Sequence, residues 1–380
     1  MKPKHLIMAL FFVQALAFGA WLPRIPELQA RLGLGPAELA LALLGLPIGL
    51  VLTIPFAGPI VARLGARLTA MWTMPAWLFA ISLPAFSTHI AVLFGTLLVC
   101  GIVMSLIELS MNIAADEIET TSGVAIMSRC HGFWSLGMAG GSILSVGLAG
   151  LALAPQSSVL SVALVALPFG LWITRALPPS LVHGKPAEGT KTSGLFLPGW
   201  LLMGICIVGL ASNLLEGAAA DWSAVYLTQV FGADAASAGL GYSAYALLMS
   251  VGRFGGDWMR TRWGPVGVAR SCYSVALLGI ALVVFSPIYW LALFGYALAG
   301  FGGSVGVPLA VSAAANAGGR PAAANVAMLT LVSLVGFLVS PPIIGFIAQH
   351  AGLRMAIGLL LLPVFALAVL LAPSLRPARK

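Results

Sequence analysis

The sequence predicts an all-α polytopic membrane protein, with twelve transmembrane helices arranged as two pseudo-symmetric six-helix bundles. Three observations carry this. The 380 residues are 60% AVILMFWYC and only 8% charged, whereas a soluble domain is roughly 45–50% apolar and about 25% charged. So few charges cannot hold that much apolar surface in solution. Apolar runs of the roughly 20 residues that a bilayer crossing needs recur twelve times, and basic residues collect in alternate breaks between them. This excludes a soluble enzyme, a disordered chain and a coiled coil. The runs are continuous rather than alternating, which excludes a membrane barrel.

In chain order, the first six runs are 5–31, 36–62, 68–86, 90–116, 125–152 and 156–176. The longest polar interval follows, PPSLVHGKPAEGTKTS from Pro178 to Ser193, and its Pro, Gly and charge read as a linker. Runs seven to twelve are 197–220, 237–257, 265–286, 288–312, 323–349 and 353–373. The expected organisation is a first bundle over 1–176, a cytoplasmic linker over 177–196 and a second bundle over 197–380. With the N-terminus inside, 16 of the 19 basic residues fall on the inner side: Lys2, Lys4, Arg63, Arg67, Arg129, Arg175, Lys185, Lys191, Arg253, Arg260, Arg262, Arg270, Arg320, Arg376, Arg379 and Lys380. Only Arg24, Arg31 and Arg354 fall outside. The positive-inside rule then places both termini in the cytoplasm. The net charge of +8 is therefore topological and implies no nucleic acid. Lys2, Lys4 and Ala15-Leu16-Ala17 resemble a signal peptide. Cleavage would leave eleven spans and reverse the charge logic of the first loop, so this segment is read as span one.

The halves repeat one another. Gly101-Ile-Val-Met-Ser105 in span four matches Gly300-Phe-Gly-Gly-Ser304 in span ten, and Ser135-Leu136 matches Ser333-Leu334. Gly58, Arg63, Gly65 and Arg67 after span two have Gly255, Asp257, Arg262 and Gly264 after span eight. Cys100, Cys130, Cys206 and Cys272 form no CxxC pair and read as small core residues. The glycine-rich stretches lack a following GK[ST] and serve close helix packing. No cofactor, metal site, nucleotide motor or catalytic constellation is indicated, so an enzyme is not expected.

Ionisable side chains inside the bilayer are costly, and each warrants a functional hypothesis. Setting aside loop charges leaves Glu108, His131 and Glu216, with Arg24 and Asp221 nearer the outer surface. Glu108 lies deep in span four with Asn112 one turn on, on the same face. Its carboxyl group can load and release a proton as a cavity faces alternate sides. The symmetry-equivalent position is Val307, so coupling would belong to the first half. His131 begins span five, with Ser135 one turn on, and its imidazole exchanges protons near neutral pH. Asn213 and Glu216, three apart on span seven, form the expected cavity pair; Asp221 faces outer water or pairs with Arg24. Trp21, Trp134 and Trp222 on spans one, five and seven offer aromatic faces to a solute, with an interfacial belt as the alternative for Trp21 and Trp222. The belt better explains Trp172, Trp200 and Trp290 at span ends.

The segments FGAWLPRIPELQARLGL (18–34), AGPIVARLG (57–65), ELSMN (108–112), MSRCHGFWSLG (127–137), EGAAADWSAVYL (216–227), GRFGGDWMRTRWG (252–264) and GFLVSPPIIG (336–345) carry a resemblance. Together they resemble the major facilitator superfamily, and within it the fucose-permease-like branch of bacterial inner-membrane permeases. The resemblance implies two halves rocking about a midplane site. It aligns Glu108 with a carboxylate that sugar–proton symporters of this branch use for coupling, and His131 with a cavity-lining position. Where the family carries an Asp after span two, this chain has Ala62. The second-half copy keeps Asp257, expected to meet Arg262 and the start of span five near Ser128 and Arg129, favouring an inward-closed state. Arg63, Arg129, Asp257 and Arg262 are thus the expected gating set. The implied activity is proton-coupled import of a small neutral, sugar-like solute by a monomer in the lipid bilayer. The alternatives are proton-coupled efflux of a drug or metabolite, and a sensor that binds solute without moving it.

Overall fold

A computed structural model of the chain describes residues 1–179 and 198–376. Most of the expected linker, with Lys185 and Lys191, lies outside the described residues, as do Arg379 and Lys380. Among the described residues every regular element is a helix. Ten helical units are long and apolar enough to cross a membrane. The first seven are α1 (Pro3–Leu32), α2 (Pro36–Leu64), α3 (Ala66–Phe86), α4 (Ile90–Ser122), α5 (Met127–Gly150), α6 (Pro155–Ala176) and α7 (Trp200–Phe231). The eighth, Ala235–Phe285, is too long for one crossing and breaks at Gly264, where φ is 68°. It divides into α8 (235–263) and α9 (265–285). After α10 (Tyr289–Ala315), the last unit breaks at Gly352, where φ is 79°, into α11 (322–351) and α12 (353–375). The ten units therefore make twelve crossings.

Several helices outrun their apolar stretches. The sequence ends spans four and seven at 116 and 220, yet α4 runs to Ser122 and α7 to Phe231. The added turns of α4 are exposed or half-buried apart from Ile118, whereas Trp222 to Leu227 of α7 are buried against neighbouring helices. Each of the two ends at a glycine that accepts the left-handed conformation, Gly123 (φ 66°) and Gly232 (φ 66°).

Within the first six crossings α1 packs on α5 and α6, α2 on α4, and α3 on α4 and α6. Within the last six, α8–α9 packs on α10 and on α11–α12, which packs on α7. A Cβ at Gly101 would lie 2.0 Å from the Leu46 carbonyl oxygen of α2, and one at Gly300 would lie 2.0 Å from that of Tyr245 on α8. These matched glycines let α4 touch α2 and α10 touch α8 along the backbone, as small residues do between helices in lipid. Phe56, Phe79, Phe169, Phe285 and Leu370 are exposed on the outside, as are Trp172, Trp200 and Trp290. Such a surface suits lipid, with aromatic rings at its boundaries.

Two seams join the two sets of six. One runs along α5 and α8; the other joins the far half of α2 to α11. On the face opposite the N-terminus the seams are shut. Ser142 of α5 and Ser243 of α8 share a hydrogen bond of 2.7 Å, and Gln229 of α7 donates to Gln29 of α1 at 3.3 Å. The Ala37 backbone N–H of α2 donates to Gln349 Oε1 of α11 at 3.4 Å. On the face carrying the N-terminus, Ser128, Arg129 and His131 of α5 are exposed, and so are Asp257, Arg260 and Arg262 of α8.

The expected latch is not made in this state. Among the described residues Asp257 forms no ion pair with Arg262 or with Arg129 at the start of α5; ion pairs seen elsewhere include Arg24–Glu27 and Arg253–Glu216. Residues five apart do not share a helix face, and the ends of α5 and α8 stand open here.

Candidate functional site

Glu216 lies about 24 Å along α7 from its Trp200 end, at 1.5 Å per residue, and so near mid-depth. Opposite it, Arg253 of α8 donates through Nη2 to Glu216 Oε2 at 3.1 Å and to Oε1 at 3.4 Å. Its Nη1 donates to the Ser135 hydroxyl of α5. One guanidinium therefore joins α7 and α8 of the last six crossings to α5 of the first six. The side chains of Arg253 and Glu216 are only 12% and 14% exposed. Charges so enclosed persist because each has a partner, and the planar guanidinium fork serves two acceptors at once.

Aromatic and polar groups complete the surroundings. The Arg253 guanidinium lies 5.9 Å from the centroid of the Trp134 ring, a cation–π distance. The Trp134 indole N–H donates to Gln14 Oε1 at 3.0 Å, and the Trp77 indole N–H donates to the Gln14 carbonyl at 3.0 Å. Ser135 also donates to the His131 carbonyl at 3.2 Å. The His131 ring stands edge-on to Phe11 at 5.5 Å, and Phe133 of α5 meets Phe254 of α8 at 5.5 Å. Tyr242 and Tyr245 stack at 6.0 Å, buried within the electrostatic range of Glu216 and Arg253.

Glu108 is half-buried on α4, close enough to feel the charge of Glu216. Asn112 shares its face, but its amide donates to the Glu108 carbonyl at 2.9 Å, not to the carboxyl group. Asn213 is half-buried one turn before Glu216. The structure thus gathers Glu108, His131, Trp134, Ser135 and Glu216 around the α5–α8 seam.

Other expectations are corrected. Trp21 and Trp222 are buried inside the protein, so they belong neither to a lipid-facing belt nor to a surface open in this state. Arg24 does not meet Asp221. It is fully buried and donates to Glu27 at 2.8 Å and to the Leu153 carbonyl at 3.1 Å. Arg253, counted from the sequence with the basic residues of the inner side, is instead the hub of the site. Its signal was its position inside the apolar run 237–257. Gln14 was missed because a neutral amide in an apolar run carries no charge signature. Arg63, Arg129, Asp257 and Arg262 are exposed at the N-terminal face, away from the hub. A separate cavity of about 600 Å³ lies among Lys2, Lys4, Arg67, Glu117, Thr121 and Pro178, and none of the expected site residues lines it.

Comparison with known proteins follows this geometry. Residues 7–334 match the Major Facilitator Superfamily. An uncharacterized MFS-type transporter of Yersinia pestis is 34% identical over 359 residues, covering 94% of this chain and 92% of that protein. Among solved structures, a mutant of the nucleoside transporter NupG superposes with a TM-score of 0.75 at 16% identity, covering 98% of this chain and 99% of the other. The E. coli fucose:proton symporter FucP gives 0.64 at 17% identity, covering 100% and 99%. At such identities the two structures speak for the fold alone.

Proposed function

The chain belongs to the Major Facilitator Superfamily and is a multi-pass membrane transporter; on that premise we propose that it moves a small neutral, sugar-like solute by proton-coupled alternating access. The observation that carries this reading is the Glu216–Arg253–Ser135 link, which bridges the two sets of six helices beside the separate carboxyl group of Glu108. Glu216 and Arg253 cancel one another's charge. Once Glu108 is protonated the site is neutral, which suits a neutral polar solute. When Glu108 gives up its proton, two carboxylates face one guanidinium, and the balance between states shifts.

In this cycle the bundles 1–176 and 197–380 rock about the α5–α8 and α2–α11 seams. In this reading the N-terminal face is the cytoplasmic one of a bacterial inner membrane, which its excess of basic residues supports, and the present state is inward-open. His131, exposed on that side, shares the proton-carrying role with Glu108. In the opposite state the inner ends close. Asp257 then meets the exposed N–H groups at the start of α5 near Ser128 and Arg129, with Arg63 and Arg262 completing the gate. Asn112, Asn213, Trp134 and Ser135 line the solute path, and Trp21 and Trp222 meet solute only when the far side opens. The unit that works is the monomer.

The test is Glu108→Gln in proteoliposomes carrying an imposed pH gradient, with labelled L-fucose as probe. Uptake driven by the gradient should disappear while counterflow exchange persists. Gradient-driven uptake equal to the unaltered protein's overturns the coupling role. A second reading, proton-coupled efflux of a flat amine, is favoured by Trp134 and the Phe133–Phe254 pair beside the hub. Hypersensitivity of a deletion strain to toxic amines, with unchanged growth on sugars, selects it.

A further inference from the structure

The side-chain amide of Gln14 is fully buried, and its nitrogen has no hydrogen-bond partner. Buried amide donors almost always have one. Chemistry sets the orientation: the Trp134 indole nitrogen can only donate, so the Gln14 oxygen must face it and the NH2 must point elsewhere. The Trp77 indole donates to the Gln14 backbone carbonyl, and the Trp134 indole holds the side-chain oxygen. Gln14 on α1 meets the N–H edge of the same indole over whose ring Arg253 of α8 lies. Arg253 already serves Ser135 through Nη1 and Glu216 through Nη2. The Gln14 NH2, a neutral donor, has no partner at this indole.

We propose that Gln14 is a solute-binding residue: enclosed in the present state, its NH2 donates to a hydroxyl or carbonyl oxygen of a neutral solute once the far side opens beside Trp134, a role that rests on the transport reading above and narrows it. A site with a buried unspent donor favours a solute that brings an acceptor and discriminates against one that does not, by factors that reach about 10⁴ in sites built this way. The structure therefore favours oxygen-rich solutes over apolar cations.

The test is equilibrium binding to the purified full chain in detergent, with labelled L-fucose, D-mannose and uridine as neutral probes and tetraphenylphosphonium as a cation without an acceptor. The unaltered chain should bind at least one neutral probe and not the cation. Gln14→Met should weaken that probe about tenfold or more. With deoxy analogues, loss of one particular hydroxyl should weaken binding to the unaltered chain and leave binding to Gln14→Met unchanged. Gln14→Asn, which keeps the NH2 but withdraws it by one methylene, gives the same comparison should Gln14→Met fail to fold. The proposal is overturned if the variant binds like the unaltered chain, if all analogues weaken alike, if only the cation binds, or if no neutral probe binds. The transport reading fails separately: binding would then obey these rules while counterflow in proteoliposomes is absent.

Discussion

Removing one member of the Glu216–Arg253 pair should destabilise the fold far more than removing both. At the observed 3.1 Å and an effective dielectric near 20, the attraction is about 5 kcal/mol. Desolvating two ions costs several kcal/mol each, so the pair as a whole contributes little net stability. A lone survivor keeps its desolvation cost and loses the attraction, a penalty of about 3–5 kcal/mol. With the two side chains only 12% and 14% exposed, water recovers little of it. Ser135 retains the His131 carbonyl as acceptor in either variant, so it adds only a small further loss. We expect Arg253→Gln and Glu216→Gln each to lose about 3 kcal/mol or more, and the double variant to lie within about 2 kcal/mol of the parent. Melting in detergent can be followed with a thiol-reactive dye, because all four cysteines are buried. Single variants that melt with the parent, or a double variant whose loss equals the sum of the singles, would refute an enclosed, mutually compensated pair.

Other outcomes follow from the helix seams and one cap. A Cβ at Gly141 of α5 would lie 1.9 Å from the Leu16 carbonyl oxygen of α1. Gly141→Ala should therefore cost about 1–3 kcal/mol by overpacking, while Gly147→Ala, which meets open space, should melt like the parent. Replacing both Ser142 and Ser243 by Cys puts two thiols where the hydroxyls now lie 2.7 Å apart; oxidation should abolish counterflow and a reductant should restore it, and transport that continues through the disulfide contradicts a far face that must open. Asp234 caps α8 by accepting the Ser237 backbone N–H at 2.7 Å, which holds its carboxyl group below the usual range. A lowered value stabilises above the carboxylate's ordinary pKa near 3.9, and that stability fades as pH falls through the lowered value. Asp234→Ala should thus melt lower at pH 7 by up to about 1 kcal/mol, with the gap closing as the medium is acidified; a gap independent of pH would count against the charged cap.

Glu108, His131, Trp134, Ser135 and Glu216 were legible as candidates because a polar or aromatic side chain inside a long apolar run stands out against its neighbours. The partners were not. Arg253 was assigned to the basic face by its neighbours Arg260 and Arg262, although it lies two turns deeper in the same helix. Asp257 was expected at the start of α5, yet that contact belongs to a state with the inner ends together. Trp21 and Trp222 were placed near the outer boundary by counting residues, and counting cannot say that neighbouring helices cover them.

The number of crossings and the positions of the breaks between them were legible in the sequence alone. A bilayer requires each segment to satisfy its own backbone and to present apolar side chains over a set length, and both demands are local. Only the tertiary structure decided that Arg253 answers Glu216, that Gln14 keeps an unspent donor beside Trp134, and that one face is shut while the other is open. Those features depend on how each helix is rotated about its axis and which helix it meets, and that rotation follows from the packing of all twelve together.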